Sequence, residues 1–423
     1  MRVSFATLGC KVNHYESEAM QELFTAAGWE TVPFGEAADA VIVNTCTVTG
    51  TSDFKSRQLI ARAHRANPAA VIAVAGCYAQ TAPGRVSDLP GVTIVIGTDR
   101  RKDIVELVTA ALGGEKQTLV KKLSDLREFE ALSAVCDGRT RATLKIQDGC
   151  VNFCSYCAIP FARGPLRSRP LESCEKELRR LAAGGYREIV LTGIHLNSYG
   201  LDSGEGDLLT VVELANGVPG VDRVRLGSLE PKYIDERFCA RASKMPSLCP
   251  QFHLSLQSGS DTVLKLMKRR YTAAEYAESA RLLRAYFPGC AITTDVIAGF
   301  PGETEREHAE TLAFCEVIGF ARMHVFPFSL RKGTAAEKLP DHLTNAVKEA
   351  RAKELIALGK ALEKRYLESL VGKDLEVLAE TDGEGYSREY ARVRTAAPEG
   401  SVVRIRAERL DGFILEGKEL TTL

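Results

Sequence analysis

Three thiols crowd one short segment, Cys150-Val151-Asn152-Phe153-Cys154-Ser155-Tyr156-Cys157. Three thiolates can hold three irons of a cubic [4Fe–4S] cluster, which leaves the fourth iron without a protein ligand. An open iron can bind a substrate or cofactor, whereas a structural metal site is closed by a fourth ligand. The competing reading is a zinc knuckle or three buried thiols. Zinc pairs repeat two-residue spacings with a fourth Cys or His close by, but the next cysteine here is Cys174, inside a helical pattern.

A second set of thiols is dispersed. Residues 2–7, 39–43 and 70–75 are short β-branched apolar runs, as in buried parallel strands. Helical patterns at 16–27, 54–66 and 78–86 follow them, and a strand at 92–96 and a helix at 101–112 complete a doubly wound α/β domain over residues 1–115. Cys10, Cys46 and Cys77 each fall just past the carboxyl end of a strand. In open parallel sheets that edge is where ligands bind. A lone Cys is commonly a small buried hydrophobe. Three at equivalent positions, beside the small or polar Gly9, Asn44 and Gly76, predict a second three-thiolate iron–sulfur site.

What must position the first triad follows a linker, residues 116–138. Strand patterns at 142–147, 188–191, 223–226, 251–256, 291–297 and 322–326 alternate with helices such as 172–183, 273–286 and 305–318. Six such units predict a partial (β/α)6 TIM-type barrel over residues 139–340, with its chemistry at the carboxyl ends of the strands. Thr192, Gly193, Ser228, Glu230, Gln257, Asp295 and Gly299 lie at those ends and are candidates to bind a cofactor. A helix cap is the plainer reading of Thr192. His195 reads as a hydrogen-bonded polar residue and not as a metal ligand. A connecting helix, 341–365, leads to short strand patterns at 374–380, 386–393, 401–407 and 413–415, which predict a small β-barrel over 366–423. The chain is thus expected to be a multidomain α/β protein.

The composition agrees with this chemistry. There are 423 residues, twelve of them cysteines, and the formal net charge is zero. No apolar run is long enough to span a bilayer, and the N-terminus enters a strand directly with no signal-peptide pattern. A cytoplasmic location without a membrane partner is expected. There, cysteines argue for metal or redox chemistry over disulfides. Cys136, Cys174, Cys239, Cys249, Cys290 and Cys315 share no spacing and read as incidental thiols.

Several segments together resemble the methylthiotransferase family of radical S-adenosylmethionine (SAM) enzymes. They are Thr7-Leu8-Gly9-Cys10-Lys11-Val12-Asn13, Val43-Asn44-Thr45-Cys46-Thr47-Val48-Thr49, Gly76-Cys77-Tyr78-Ala79-Gln80, Lys145-Ile146-Gln147-Asp148-Gly149-Cys150 and Arg163-Gly164-Pro165-Leu166-Arg167-Ser168-Arg169. Cys10-Lys11-Val12-Asn13 and His253-Leu254-Ser255-Leu256-Gln257-Ser258-Gly259 are most similar to the branch acting on N6-threonylcarbamoyladenosine in tRNA. Branches acting on isopentenyladenosine tRNA or on a ribosomal-protein side chain are the alternatives.

The resemblance implies two [4Fe–4S] clusters, one on Cys150, Cys154 and Cys157 that binds SAM and an auxiliary one on Cys10, Cys46 and Cys77. It implies transfer of a methylthio group to carbon 2 of the modified adenosine at position 37 of tRNA. It also implies an electron donor such as flavodoxin or ferredoxin, a sulfur donor, and an RNA-binding TRAM-like C-terminal domain. Tyr156 is then placed to pack on an adenine, although core packing is the plainer reading. Expected RNA contacts are Arg163, Arg167 and Arg169, then Lys268-Arg269-Arg270, then Arg331 and Lys332. Arg388, Arg392 and Arg394, with Tyr386 and Tyr390, suggest a basic–aromatic face. Against that face, residues 366–423 hold eight Lys or Arg and twelve Asp or Glu, a poor balance for phosphate binding.

Overall fold

A computed structural model describes residues 1–134 and 140–422. Cys136, the end of the expected linker and residue 139 lie outside the described residues.

Six strands, β1 (Arg2–Thr7), β2 (Glu30–Val32), β3 (Ala40–Thr45), β4 (Val71–Gly76), β5 (Val92–Ile96) and β6 (Gln117–Leu119), pair in the order β2-β1-β3-β4-β5-β6. All five pairings are parallel. β3 and β4 are buried along their whole length, which explains their unbroken apolar sequence. The sheet carries helices on both faces, among them α1 (Lys11–Ala26), α2 (Gly50–Ala66) and α3 (Cys77–Thr81). The edge strands β2 and β6 were not expected from the sequence. Helix α1 begins five residues earlier than its apolar pattern, with Cys10 as its N-cap. The single helix expected at 78–86 is two short ones, α3 and Pro83–Ser87.

The second unit contains β7 (Arg141–Asp148), β8 (Arg167–Ser168), β9 (Glu188–Gly193), β10 (Arg223–Leu226), β11 (Ser228–Leu229), β12 (Gln251–Leu254), β13 (Ala291–Ala298) and β14 (Arg322–Pro327). They pair as β10-β9-β7-β8 and β11-β12-β13-β14. Only Gly227 separates β10 from β11, and a parallel bridge from Val224 to Leu248 joins the two sheets. The six parallel strands β7, β9, β10/β11, β12, β13 and β14 therefore run as one curved wall, the expected partial barrel. A helix over Asn345–Glu368 packs on β14 and β13 and contributes Ala352 and Leu355 to the barrel core.

The C-terminal unit, β15 (Asp374–Ala379), β16 (Glu384–Ser387), β17 (Arg392–Arg394), β18 (Val402–Asp411) and β19 (Ile414–Thr422), is a closed five-stranded barrel in the order β15-β16-β17-β19-β18. The strand expected at 386–393 is two strands, and the last strand is three times longer than expected. Cys174, Cys239, Cys249, Cys290 and Cys315 are all buried. Among the described residues, no helix is long and apolar enough to cross a membrane.

Candidate active site

Cys10, Cys46 and Cys77 come together past the ends of β1, β3 and β4, and both Cys10 and Cys46 act electrostatically on Cys77. Gly9 has φ 124°, and a Cβ there would stand 3.2 Å from the Cβ of Cys46 and 2.9 Å from the Asn13 amide nitrogen. Only glycine admits so close an approach of the first loop to the second thiol. Asn13 ties the loops together: its amide donates to the carbonyls of Leu8 and Thr45, at 2.9 and 3.0 Å. Burial pushes the Cys77 thiol up to about 11, although the nearby Arg163 pulls it down.

Cys150, Cys154 and Cys157 share the loop after β7, and Cys154 and Cys150 both act on Cys157. Phe153 turns through the left-handed region (φ 49°) and Gly149 does the same at 78°. A Cβ on Gly149 would stand 1.8 Å from the Pro165 carbonyl oxygen. Burial pushes Cys150 up to about 11 and Cys157 up to about 12. Thiols raised in this way hold thiolates only when a metal supplies the opposing charge. Among the described residues no three Cys, His, Asp or Glu close on a point as around a single metal ion. A cubic cluster asks for wider spacing, because each thiolate binds a different iron. The donor set of both triads fits that group.

One buried charge network joins the triads. Glu16 of α1 has no exposed surface and meets Lys145 of β7 at 2.7 Å, Arg101 at 3.0 Å and the Arg163 guanidinium. Burial pushes its carboxyl up, but Arg101, Arg163 and Lys145 outweigh this and hold it at about 2. Asp148, two residues before Cys150, takes Lys145, Arg163 at 3.3 Å and Arg167 at 3.5 Å. Arg163 also donates from Nε to the Cys77 sulfur at 3.2 Å.

A second network orders the barrel mouth. Asn152 donates to Glu230 at 3.0 Å and lies 3.0 Å from His195 Nε2. Arg269 pairs with Glu230 at 3.1 Å and donates to the Cys154 sulfur at 3.4 Å. His195 is a hydrogen-bonded residue, also held by Ser198.

Of the residues expected to bind a cofactor, Glu230 lies in this network and Ser228 is exposed beside it. Thr192 is buried, and Gly193 lies against Gln147. Gln257 adopts φ 70° and donates its backbone N–H to the Asp295 carbonyl, while the Asp295 carboxylate stands 3.3 Å from His253. Tyr156 packs edge-on to Phe300, with centroids 6.4 Å apart. At Gly299 the missing side chain makes room for Lys348 of the 345–368 helix, whose Cγ would stand 2.6 Å from a Cβ there.

Several expected RNA contacts are corrected. Arg163, Arg167 and Arg169 are buried, and all their charges are used inside the protein. Arg388 donates to the carbonyls of Pro246 and Leu248, so it docks the C-terminal barrel. Tyr386 and Tyr390 do stack, at 4.7 Å, but they lie under Arg141, and Tyr390 also under Arg225, in that same interface. Arg331 is held by Asp53 and Thr47 across the interface with the N-terminal domain. Arg270 and Lys332 are exposed, and Arg392 is half exposed beside Glu384. Arg269, expected among the RNA contacts, is instead turned inward to Glu230 and the Cys154 sulfur. Glu16, Lys145, Asp148 and Asn152 were not singled out as site residues from sequence; the Asp148-Gly149-Cys150 run was the available signal.

A parallel-stranded partial barrel with three thiols after its first strand has the form of a radical SAM enzyme. The radical SAM superfamily model matches residues 144–315, and that of the uncharacterized protein family UPF0004 matches residues 2–97. In fold the chain is similar to the radical SAM methyltransferase TsrM from Kitasatospora setae, with TM-score 0.58 at 17% identity, covering 79% of this chain and 76% of that one. Relatives include the threonylcarbamoyladenosine tRNA methylthiotransferase MtaB of Bacillus subtilis (strain 168), 43% identical over 96% of this chain and 93% of that protein. The protein of the same name from Thermotoga maritima is 38% identical over 97% and 98%. A tRNA-2-methylthio-N(6)-dimethylallyladenosine synthase of Nitratidesulfovibrio vulgaris (strain DP4) is 38% identical over 95% and 93%. The chain belongs to the methylthiotransferase family of radical SAM enzymes, whose cofactors are SAM and [4Fe–4S] clusters.

Proposed function

We propose that the protein transfers a methylthio group to carbon 2 of N6-threonylcarbamoyladenosine at position 37, in the anticodon loop of tRNA. One observation carries this reading: two separate thiol triads, from two domains, share a single buried ion-pair network. The names of the Bacillus and Thermotoga relatives supply the substrate. In this reading Cys150, Cys154 and Cys157 hold the cluster that binds SAM, and Cys10, Cys46 and Cys77 hold the auxiliary cluster. Once bound, these groups supply a 5′-deoxyadenosyl radical and a methylated sulfur for transfer.

The remaining tasks belong to the chain. Asn152, Glu230 and Arg269 hold the cysteine loop in one conformation at the barrel mouth. Thr192, Gly193, Ser228, Glu230, Gln257 and Asp295 are the positions proposed to surround SAM. The adenosine must leave its stack to reach a site inside the barrel. Phe326, half exposed at the end of β14, offers an apolar surface for it. Exposed Arg270, Lys332 and Arg392 are left to meet phosphates. The division of labour follows residues 1–115, 139–340 and 366–423; the helix expected at 341–365, which runs over Asn345–Glu368, joins the last two. A cytoplasmic setting, an electron donor such as flavodoxin or ferredoxin, and a sulfur donor complete the proposal.

The test is anaerobic reconstitution with iron and sulfide, followed by incubation with SAM, dithionite and tRNA bearing threonylcarbamoyladenosine. Mass spectrometry of the digested nucleosides should show the methylthio adduct. A second reading, dimethylallyladenosine as substrate, is favoured by the Nitratidesulfovibrio relative. An adduct formed only on RNA carrying that base would establish it instead.

A further inference from the structure

Arg163 is a cation with no exposed surface, and each of its nitrogens has a use. Nε donates to the Cys77 sulfur at 3.2 Å. Nη2 donates to Asn13 Oδ1 at 2.9 Å, and the same oxygen accepts from the Cys10 thiol at 3.7 Å. Nη1 meets Glu16, and it meets Asp148 at 3.3 Å. Asp148 in turn accepts the Gly149 amide at 2.8 Å, one residue before Cys150. One guanidinium therefore touches the first triad directly at Cys77, reaches Cys10 through Asn13, and anchors the loop of the second triad.

We propose that Arg163 is a positioning residue that locks the cluster on Cys10, Cys46 and Cys77 against the Cys150 loop and raises the reduction potential of that cluster. The inference rests on the reading that those three thiols hold a cluster. The potentials of iron–sulfur clusters follow net charge, hydrogen bonds to sulfur and exposure. Reduction adds negative charge to the cluster. A buried cation and an N–H···S bond both favour the reduced form, and neither is screened by solvent at this depth. Holding a cation there requires paired carboxylates, which Glu16 and Asp148 provide. Only the planar fork of arginine presents donors in three directions at once; a lysine concentrates its donors on one atom. Arg163→Lys therefore keeps the charge against Glu16 and loses the bond to Cys77.

The experiment uses the full chain carrying Cys150→Ala, Cys154→Ala and Cys157→Ala, so that one triad remains. The cluster midpoint is read by redox titration monitored by electron paramagnetic resonance. Arg163→Lys should retain its iron and titrate at a lower potential than the parent, and Arg163→Met lower still. Asn13→Ala leaves the guanidinium and its ion pairs in place. It should shift the midpoint in the same direction by less, which keeps the test decisive where Arg163→Met does not fold. Unchanged midpoints in both Arg163→Lys and Asn13→Ala would overturn the role of Arg163. A parent that binds no iron would instead overturn the assignment of the triad itself.

Discussion

Replacing Glu16 by Ala should unfold the N-terminal domain far more easily than a helix substitution ordinarily does. The carboxylate is fully buried and lies within about 3 Å of three cations, Lys145, Arg163 and Arg101. Its removal leaves them with Asp148 and, on Arg101, Glu130. Breaking a buried pair by deleting one partner costs about 3–5 kcal/mol, because the other charge stays behind without compensation. The chain has a single tryptophan, Trp29, buried in the N-terminal core against Phe24. Its emission reports the unfolding of that domain in urea. With a slope of about 2 kcal/mol/M, the loss corresponds to a midpoint lower by roughly 1.5–2.5 M. Glu16→Gln keeps the shape of the side chain and removes only the charge, so it should account for most of the shift. A Glu16→Ala midpoint within about 0.3 M of wild type would refute the claim that this network holds the two domains together.

Gly149→Ala should lose the iron of the Cys150 triad while the other triad keeps its own, because the new Cβ would meet the Pro165 carbonyl at 1.8 Å; iron and sulfide analysis checks this. Glu188 is buried, which raises its carboxyl, but Arg225 and Arg223 outweigh burial and hold it at about 2. Its depressed value stabilises the fold above the unfolded carboxylate range, and that contribution, about 3 kcal/mol, is lost as pH falls from about 5 towards 2. The stability gap between wild type and Glu188→Gln, measured by urea titration across that range, should therefore close as the solution is acidified. Arg269→Met should leave Glu230 and the Cys154 loop without their shared cation and weaken SAM retention, measured by equilibrium binding to the reconstituted protein.

The thiol triads were legible because a cysteine just past an apolar run marks a strand end, and strand ends converge in a parallel sheet. The barrel was legible from six repeats of one pattern. Other features resist such reading for physical reasons. Arg163, Arg167 and Arg169 look like a basic patch in sequence, since composition carries no sign of burial; their partners are Glu16, brought by packing between domains, and Asp148 and Glu177, brought by the fold of the barrel unit. Glu16 sits on α1, 129 residues from Lys145, among ordinary polar helix positions. The strands β2 and β6 have three residues each, too few for periodicity to show. The last strand is exposed without a break from Gly417 to Thr421, so it has no buried apolar face to read there, and only its apolar start at Ile414 and Leu415 announced it.

The most direct test of the account compares Cys46→Ala with Cys154→Ala in one reconstituted assay that reads deoxyadenosine and methylthiolated nucleoside together. The account predicts that Cys46→Ala still forms deoxyadenosine but no methylthio product, and that Cys154→Ala forms neither. Wild-type amounts of methylthiolated tRNA from Cys46→Ala would contradict the division of the chemistry between two thiol triads.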